Sequence, residues 1–407
     1  MSVRRRLGAV NLLCVLNVLG TSGQMWPEPY VEAAPKGGFW EDVRRLLDTA
    51  QSRCYFSALI ESEALMKAVV IDAHGGPEVL RSTDFPDPSI GPQDVLVRVR
   101  ACALNHLDLW IRRGLPGRPV PFPHILGSDI SGEVAAVGEN VKNAHVGDKV
   151  LLAPGISCGQ CEQCLAGRDN FCKDYVLFGS TVHGGYAEFV KSPAANLIPL
   201  PENLSFEEAA AVPLVFLTAW HMLFHRAQLR PAETVLVIAA GSGVGSAAVQ
   251  LAKVVGARVI ATAGSEPKLA KAKELGAEQA VLHVGEFARE VKRLTNGRGV
   301  DVVFEHVGAT TWDQSVYSLA HGGRLVTCGA TTGFDGKINV GYLFARQLSI
   351  LGSFMGYKSE LFSVLELFRR GLLKPVIDSV MSLDCAADAH RRLENREQFG
   401  KVVLRIP

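Results

Sequence analysis

The sequence predicts an α/β protein in which a β-rich domain is joined to a doubly wound parallel sheet. Three observations carry this. From Glu233 onward apolar strands alternate with helical segments, as in TVLVIAA, GSAAVQLAKVVG, ARVIATA and EPKLAKAKELGA. That rhythm demands a parallel sheet covered by helices on both faces. From Lys67 to about Pro201 the pattern is instead short strands and glycine-punctuated turns, as in KAVVID, DVLVRVRACAL and HILGSDISGEVAAVG, the signature of a β-rich unit. Finally, 407 residues suffice for two domains, and 48% hydrophobic with 20% charged residues is the composition of a globular chain with ample core.

Residues 1–65 read as an N-terminal extension. Arg4, Arg5 and Arg6 precede the apolar run LGAVNLLCVLNVLG and the small residues TSG, which is the layout of a secretory signal peptide. The run is too short to span a bilayer comfortably. An amphipathic stretch follows near Phe39 to Ala50, and MKAVVIDAHGGPEVL opens afresh at Met66. An over-long start, a targeting peptide and a disordered or weakly helical segment all remain open readings. The β-rich domain is expected over 66–205, with a cysteine loop at about 155–175, and again over 346–407. Ser205 and Glu208 form a capping box before the helical SFEEAAAVPLVFLTAWHMLF. The nucleotide-binding domain is expected over 206–345, its later strands being VDVVFEHVG and GRLVTCGA; QLSILGSF, just beyond that bound, reads as one more strand. Two helices, KSELFSVLELFRRG and CAADAHRRLENR, and a closing strand, KVVLRIP, end the chain.

With 42 basic and 41 acidic residues the net charge is +1, which excludes the strongly basic surface of a nucleic-acid binder. Cys158, Cys161, Cys164 and Cys172 stand in a C-x2-C-x2-C-x7-C array. Four thiolates so close can wrap one tetrahedral Zn²⁺ and leave no vacancy for substrate, so the metal is expected to be structural. Such binding is worth about 10–16 kcal/mol in small peptides. The alternative, free or disulfide-bonded cysteines, is opposed by C-x2-C steps tight for disulfides. The remaining cysteines, at 14, 54, 102, 328 and 385, are scattered, as in a reducing, cytoplasmic compartment.

AAGSGVGSAAVQLAK follows an apolar strand and opens a helix. Gly241, Gly243 and Gly245, with Val244 among them, let the backbone approach a pyrophosphate, and the helix N-terminus offers free N–H groups. NAD binding calls for an acid at the end of the second strand; here Ala263, Gly264 and Ser265 stand there. The space suits a 2′-phosphate held by Ser265 and Lys268, which points to NADPH. Lys268 as a solvated helix residue is the alternative.

From Met66 to Pro407 the chain resembles the medium-chain dehydrogenase/reductase superfamily. The resemblance rests on MKAVVIDAHGGPEVL, ALNHLDLWIRRGLP, HILGSDISGEVAAVG, the cysteine loop, AAGSGVGSAAVQLAK and ATAGSEPKLAKAKELGA. It implies a GroES-like catalytic domain joined to a Rossmann domain, with the active site between them. In the zinc alcohol dehydrogenases of that group a Cys, a His in GHE and a hydroxyl residue serve the catalytic metal and proton relay. Here Asn105, Gly127-Ser128-Asp129 and Leu107 match those places. An amide and a serine are poor zinc ligands, so no catalytic zinc is expected; Asp129, His124 and His106 are the makeshift candidates. ALNHLDLWIRRG and GSDISG resemble instead the quinone oxidoreductase and enoyl reductase branch.

That resemblance implies roles for single residues. Asn105 is placed at the nicotinamide or substrate oxygen, or simply closes a turn. His106 lies near the pyrophosphate as a positive or donating ring, and Asp108 orients its neighbours or caps a helix. Thr218 faces the nicotinamide. His306, Val307 and Gly308 flank its ribose, and Gly329 and Ala330 its carboxamide. Lys401 reaches the cofactor or is solvated. The expected function is NADPH-dependent hydride delivery to a quinone or α,β-unsaturated carbonyl, with one structural Zn²⁺. The alternatives are an alcohol dehydrogenase with an atypical zinc set and a non-enzymatic NADPH sensor. A small-molecule substrate, no nucleic-acid partner, no stable membrane association, and a homodimer or homotetramer pairing Rossmann edge strands complete the expectation.

Overall fold

The computed structural model of the protein describes residues 64–407 other than Pro116 and Arg118. The expectations for the N-terminal extension lie outside the described residues.

The β-rich part begins with β1 (Leu65–Ile71), β2 (Leu80–Pro86), β3 (Asp94–Ala103), β4 (His124–Ile125), β5 (Asp129–Val137) and β6 (Lys149–Leu152). It continues with β7 (Gly155–Ile156), β8 (Val176–Leu177), β9 (Phe189–Pro193) and β10 (Leu197–Pro199). β3 alternates as a half-buried strand must: Val95, Val97 and Val99 are fully buried while their neighbours are half-exposed. It pairs antiparallel with β5 and with β9. Gly132 in β5 has no side chain for a packing reason, since a Cβ there would lie 2.0 Å from the Arg98 carbonyl oxygen. Helix α1 (His106–Arg113) leaves β3 through Asn105, whose N–H donates to Asp108 Oδ2 at 2.7 Å.

The second domain is built on β11 (Thr234–Val237), β12 (Arg258–Ala263), β13 (Gln279–Leu282), β14 (Val300–Glu305), β15 (Leu319–Thr327) and β16 (Ser349–Gly352). All pair in parallel in the order β13-β12-β11-β14-β15-β16. The order reverses between β11 and β14, which opens a crevice at their carboxyl ends. β17 (Ile377–Ser382) and β18 (Lys401–Arg405) return to the first domain, where β18 pairs antiparallel with β3.

Two expectations about boundaries are corrected. The helical stretch after Ser205 is not continuous: α2 (Phe206–Ala210) ends before α3 (Pro213–Trp220), because Pro213 supplies no N–H to a preceding turn. Its residues Ala210 and Ala211 pack with Ala101, Ala103 and Val403 of the β-rich sheet, so the first domain extends past 205. The capping box itself is present, with Glu208 N–H donating to Ser205 Oγ and Ser205 N–H to Glu208 Oε2. At the other end β16 lies beyond 345 yet belongs to the parallel sheet. The helix Lys358–Arg369 also packs on α3, with the Phe216 and Phe368 rings 4.8 Å apart. The nucleotide-type domain thus runs on to about residue 369. The parallel sheet carries an apolar core on each face, one of them shared with these helices, and a further core fills the β-rich domain. No described helix is long and apolar enough to cross a membrane.

Candidate functional site

The crevice between the two domains is a cleft of about 620 Å³. Its floor is the turn between β11 and the helix Gly243–Val254. Ser242 caps that helix, its Oγ accepting from Gly245 N–H at 2.8 Å. A Cβ at Gly245 would meet the Ala239 carbonyl oxygen at 2.5 Å, and one at Gly243 would meet the Lys401 side chain at 2.8 Å. Both glycines are therefore imposed by packing. Ala239 holds a left-handed backbone (φ 50°), an uncommon conformation of the kind that gathers at binding sites. Gly241, Gly243 and Val244 line the cleft, with Gly245 behind them.

At one end lie Ala263, Gly264, Ser265 and Lys268, joined by His283 and Arg396. Lys268 Nζ donates to the Arg396 carbonyl at 2.5 Å. Burial pushes the Lys268 pKa down, with Lys271, Arg392 and Arg396 adding to it against the opposing pull of Asp378. Burial likewise lowers His283, helped by Arg396 and Lys268. Three basic side chains thus converge where β12 ends without an acid. Sequence reading missed His283 and Arg396, which lie far from the glycine loop along the chain.

The centre of the cleft wall is a buried polar cluster. Lys401 Nζ donates to Asn105 Oδ1 at 2.6 Å and to Asp129 Oδ2 at 2.8 Å. Asn105 Nδ2 donates to the same Asp129 oxygen at 3.0 Å and to the Ala103 carbonyl at 3.4 Å. Asp129 Oδ1 accepts from Leu214 N–H at 2.8 Å. Asp129 is fully buried and Lys401 only 4% exposed. The solvated alternative for Lys401 is corrected: a buried carboxylate 272 residues earlier draws it inward. Asn105 and Lys401 line the cleft, but the Asn105 amide is engaged within the protein. Asp108 is set behind them, accepting from Asn105 N–H and Gly127 N–H; burial raises its carboxyl to about 6.

Ser128 Oγ donates to the Phe178 carbonyl at 2.6 Å. Among the described residues the groups of side chains arranged to hold a metal are the four cysteines and a set formed by His221, His225 and Glu360. Asp129, His124 and His106 are in neither. His106 lines the cleft, and its ring is not positive near neutrality: burial, with His306, Arg396, Arg113 and Lys401 adding, lowers its pKa to about 4.

Thr218, His306, Val307 and Gly329 come together on the far wall, with Cys328 and Met355. Thr218 Oγ1 approaches Met355 Sδ at 4.0 Å. His306 Nε2 donates to the Ile238 carbonyl at 3.0 Å, and burial lowers its pKa to about 4. Beneath it Glu305, fully buried, accepts from Val307 N–H, Gly308 N–H and Thr311 Oγ1 and so sets the turn that closes β14. A glutamate ending the apolar run VDVVFE was the available sequence signal for this anchor. Leu104, Leu107, Trp110, Leu214, Val215 and Phe354 make the rest of the lining largely apolar.

The cysteine loop stands apart. The Sγ atoms of Cys158 and Cys172 are 3.5 Å apart, those of Cys161 and Cys164 3.5 Å, and those of Cys158 and Cys164 3.9 Å. Zn–S bonds of about 2.3 Å put the sulfurs of a tetrahedral site about 3.8 Å apart, so the four fit a zinc ion. Backbone N–H groups of Gln160 and Cys161 aim at Cys158 and pull its thiol down to about 6. The loop also braces the cleft, since Lys358 N–H donates to Asp169 and Asn170 Nδ2 to the Phe354 carbonyl.

Two family models match the chain, one described as an alcohol dehydrogenase GroES-like domain over residues 91–202 and one as a zinc-binding dehydrogenase over residues 243–370. A solved structure described as an NAD-dependent alcohol dehydrogenase is 52% identical, with a TM-score of 0.82, covering 84% of this chain and 100% of that one. Acryloyl-coenzyme A reductase of Sulfurisphaera tokodaii is 32% identical over 341 residues, covering 84% of this chain and 100% of the relative. Quinone oxidoreductase of Rattus norvegicus is 32% identical over 351 residues, covering 84% and 98%.

Proposed function

The chain belongs to the medium-chain dehydrogenase/reductase superfamily, with a Rossmann domain and a GroES-like domain, and from that premise we propose that it is an NADPH-dependent reductase of quinones or α,β-unsaturated carbonyls that works without a catalytic metal. One observation carries the reading. Where related zinc enzymes are expected to hold their reactive metal, a buried lysine ammonium is tied to Asn105 and Asp129. The carboxylate is already saturated by Lys401, Asn105 and Leu214 N–H, and an amide and a serine replace softer donors.

A nicotinamide nucleotide held in the cleft would supply the hydride. Gly241, Gly243, Val244 and Gly245 with the helix N-terminus hold its pyrophosphate, and His106 meets it as a neutral N–H donor. Ser265, Lys268, His283 and Arg396 surround a 2′-phosphate. Thr218, His306, Val307 and Gly329 flank the nicotinamide. Two Lys401 N–H groups are used by Asn105 and Asp129, which leaves the third for the substrate oxygen on which charge gathers. A fixed cation in a water-poor cleft suits an acceptor whose conjugation carries charge to that oxygen. Simple alcohols, which need stronger polarisation, suit it less. Asp108 and Asn105 position Lys401. The four cysteines hold one structural zinc, and the apolar cleft takes a flat, small substrate.

A second reading, NAD-linked alcohol oxidation, is favoured by what the 52%-identical structure is described as. Nucleotide consumption against quinones, enals and enoyl thioesters, compared with alcohol oxidation, separates the two. The expected outcome is NADPH-driven reduction of the conjugated acceptors. Turnover of alcohols alone with NAD would replace it with the second reading, and flat responses throughout would point to a nucleotide sensor. Pairing of two copies along β16, flanked by the exposed Phe334, Val340 and Phe344, is part of the same proposal, as is residence in a reducing compartment, in keeping with seven free cysteines among the described residues.

A further inference from the structure

Behind the cleft wall lies a second set of ligand-type side chains, distinct from the four cysteines although the cysteine loop reaches its edge, where the Phe171 and Tyr357 rings are 6.5 Å apart. His221 and His225 occupy a π-helical turn, His221–Arg226, that continues α3. Residues four apart share a helix face, and the wider turn, closed by Ala227 N–H on the Met222 carbonyl, sets the two rings over one another. Their centroids are 4.7 Å apart with planes 8° from parallel. Both Nδ1 atoms face the Glu360 carboxylate, at 2.8 Å for His221 and 3.8 Å for His225. The three donor atoms lie within 4.8 Å of one another. His221 is 2% exposed, Glu360 12% and His225 44%, so the set is anchored in the protein and opens to solvent on one side.

We propose that His221, His225 and Glu360 form a second metal site, for one Zn²⁺ or a like divalent transition-metal ion. Two imidazoles and a carboxylate with a fourth position open is a donor set that zinc takes readily. Its outer contacts suit the task. Tyr357 Oη lies 3.1 Å from His225 Nε2; by accepting that ring proton it leaves the Nδ1 lone pair facing the carboxylate, which is how bound imidazoles are commonly oriented. Glu360 is itself held by Tyr357 N–H at 2.8 Å. Arg226, the nearest cation along the turn, directs its Nε to the Gly352 carbonyl. On binding, the ion takes the place of the proton that His221 Nδ1 offers Glu360, and that proton moves to the ring's Nε2, so the imidazole stays neutral.

The site joins two pieces of the cleft wall. Thr218 lies one turn before His221, and Phe354 and Met355 precede Tyr357 and Glu360. An ion here staples the helix bearing Thr218 to the segment bearing Met355, which makes the cleft wall responsive to metal.

The test uses the full chain with its cysteine-bound zinc in place, titrated with Co²⁺. The expected result is one cobalt per chain bound in addition to the zinc, with visible d–d bands, no sulfur-to-cobalt charge-transfer band, and a raised thermal midpoint. His225→Gln, at the most exposed ligand, abolishes the cobalt bands and the midpoint shift while zinc content stays at one. Glu360→Gln does the same, and retained zinc shows that either variant is folded. No cobalt beyond the zinc, thiolate-type bands, or unchanged binding in His225→Gln would overturn the proposal. Cobalt that survives His225→Gln but is lost in Asp129→Asn would instead place a metal in the catalytic cleft, a result that counts against the metal-free reductase and is distinguishable from the failure of this site.

Discussion

Lys401 is the residue on which the proposed chemistry of the cleft rests, and its burial between Asn105 and Asp129 makes its removal informative. Lys401→Met leaves Asp129 as a buried carboxylate without its cation, a loss that costs about 3–5 kcal/mol where one partner of a buried pair is deleted. The double variant Lys401→Met/Asp129→Asn removes the orphaned charge and regains most of that stability. It is expected to lose on the order of 10²-fold in kcat/KM, the scale of one oxyanion donor, with nucleotide affinity nearly unchanged. Full turnover in the double variant would exclude Lys401 from the reaction. At the other end of the cleft, Lys268→Ala with Arg396→Ala is expected to raise the KM for NADPH about tenfold and leave that for NADH within about twofold, as loss of charge-assisted phosphate contacts would. Equal effects on both nucleotides would remove the 2′-phosphate assignment. The glycines, Ser265 and Lys268 were legible in the sequence because a strand–turn–helix puts them together within a few residues. Lys401 was not, because a single lysine in a closing strand looks the same whether its partner is water or an aspartate far away along the chain.

Among the elements, the cysteine loop is the one whose purpose is local. Its secondary structure is slight, a four-residue helix at Glu162–Leu165 and a 3-10 turn at Asp169–Phe171, and the proposed zinc would supply much of its order. Cys161→Ser is expected to cut zinc from one per chain to near zero and to speed amide exchange across residues 157–172. Activity should fall as well, because Asp169 and Asn170 hold the Lys358 and Phe354 backbone beside the cleft. Intact zinc content in this variant would refute the four-sulfur assignment. Spacing alone made this loop readable, since four cysteines within fifteen residues can reach one point by themselves. Other elements were less readable. The helices Phe287–Leu294 and Trp312–Tyr317 are short and were passed over, and the break at Pro213 was masked by an unbroken apolar run.

For the molecule as a whole, acid should be the sensitive direction. Burial lowers His106, His124 and His306 to about 4 and His390 to about 3, from 6.5 when exposed. Below pH 6.5 the unfolded chain takes up protons that the native state refuses until about pH 4. Stability is therefore level above pH 6.5 and falls below it, by up to about 1.4 kcal/mol per pH unit for each histidine. Asp108, raised to about 6, and Glu305, also raised by burial, oppose this with protons the native state binds first. A denaturant midpoint that is unchanged or higher at pH 4.5 than at pH 7 would contradict that balance. Light scattering on the full chain is expected to give twice the monomer mass of 43.8 kDa or a higher even multiple, and Ile350→Lys on the β16 edge should shift it to the monomer. Hydrophobic period, glycine position and cysteine spacing act over a few residues, and they were enough to specify the two-domain architecture and to point to the glycine turn that lines the cleft and the four clustered cysteines. The ammonium seated between Asn105 and Asp129, the basic wall of His283 and Arg396, and the His221–His225–Glu360 set arise from chain segments that meet only on folding. Burial then tells which polar side chains stay in water and which must find one another, a choice that no local pattern encodes.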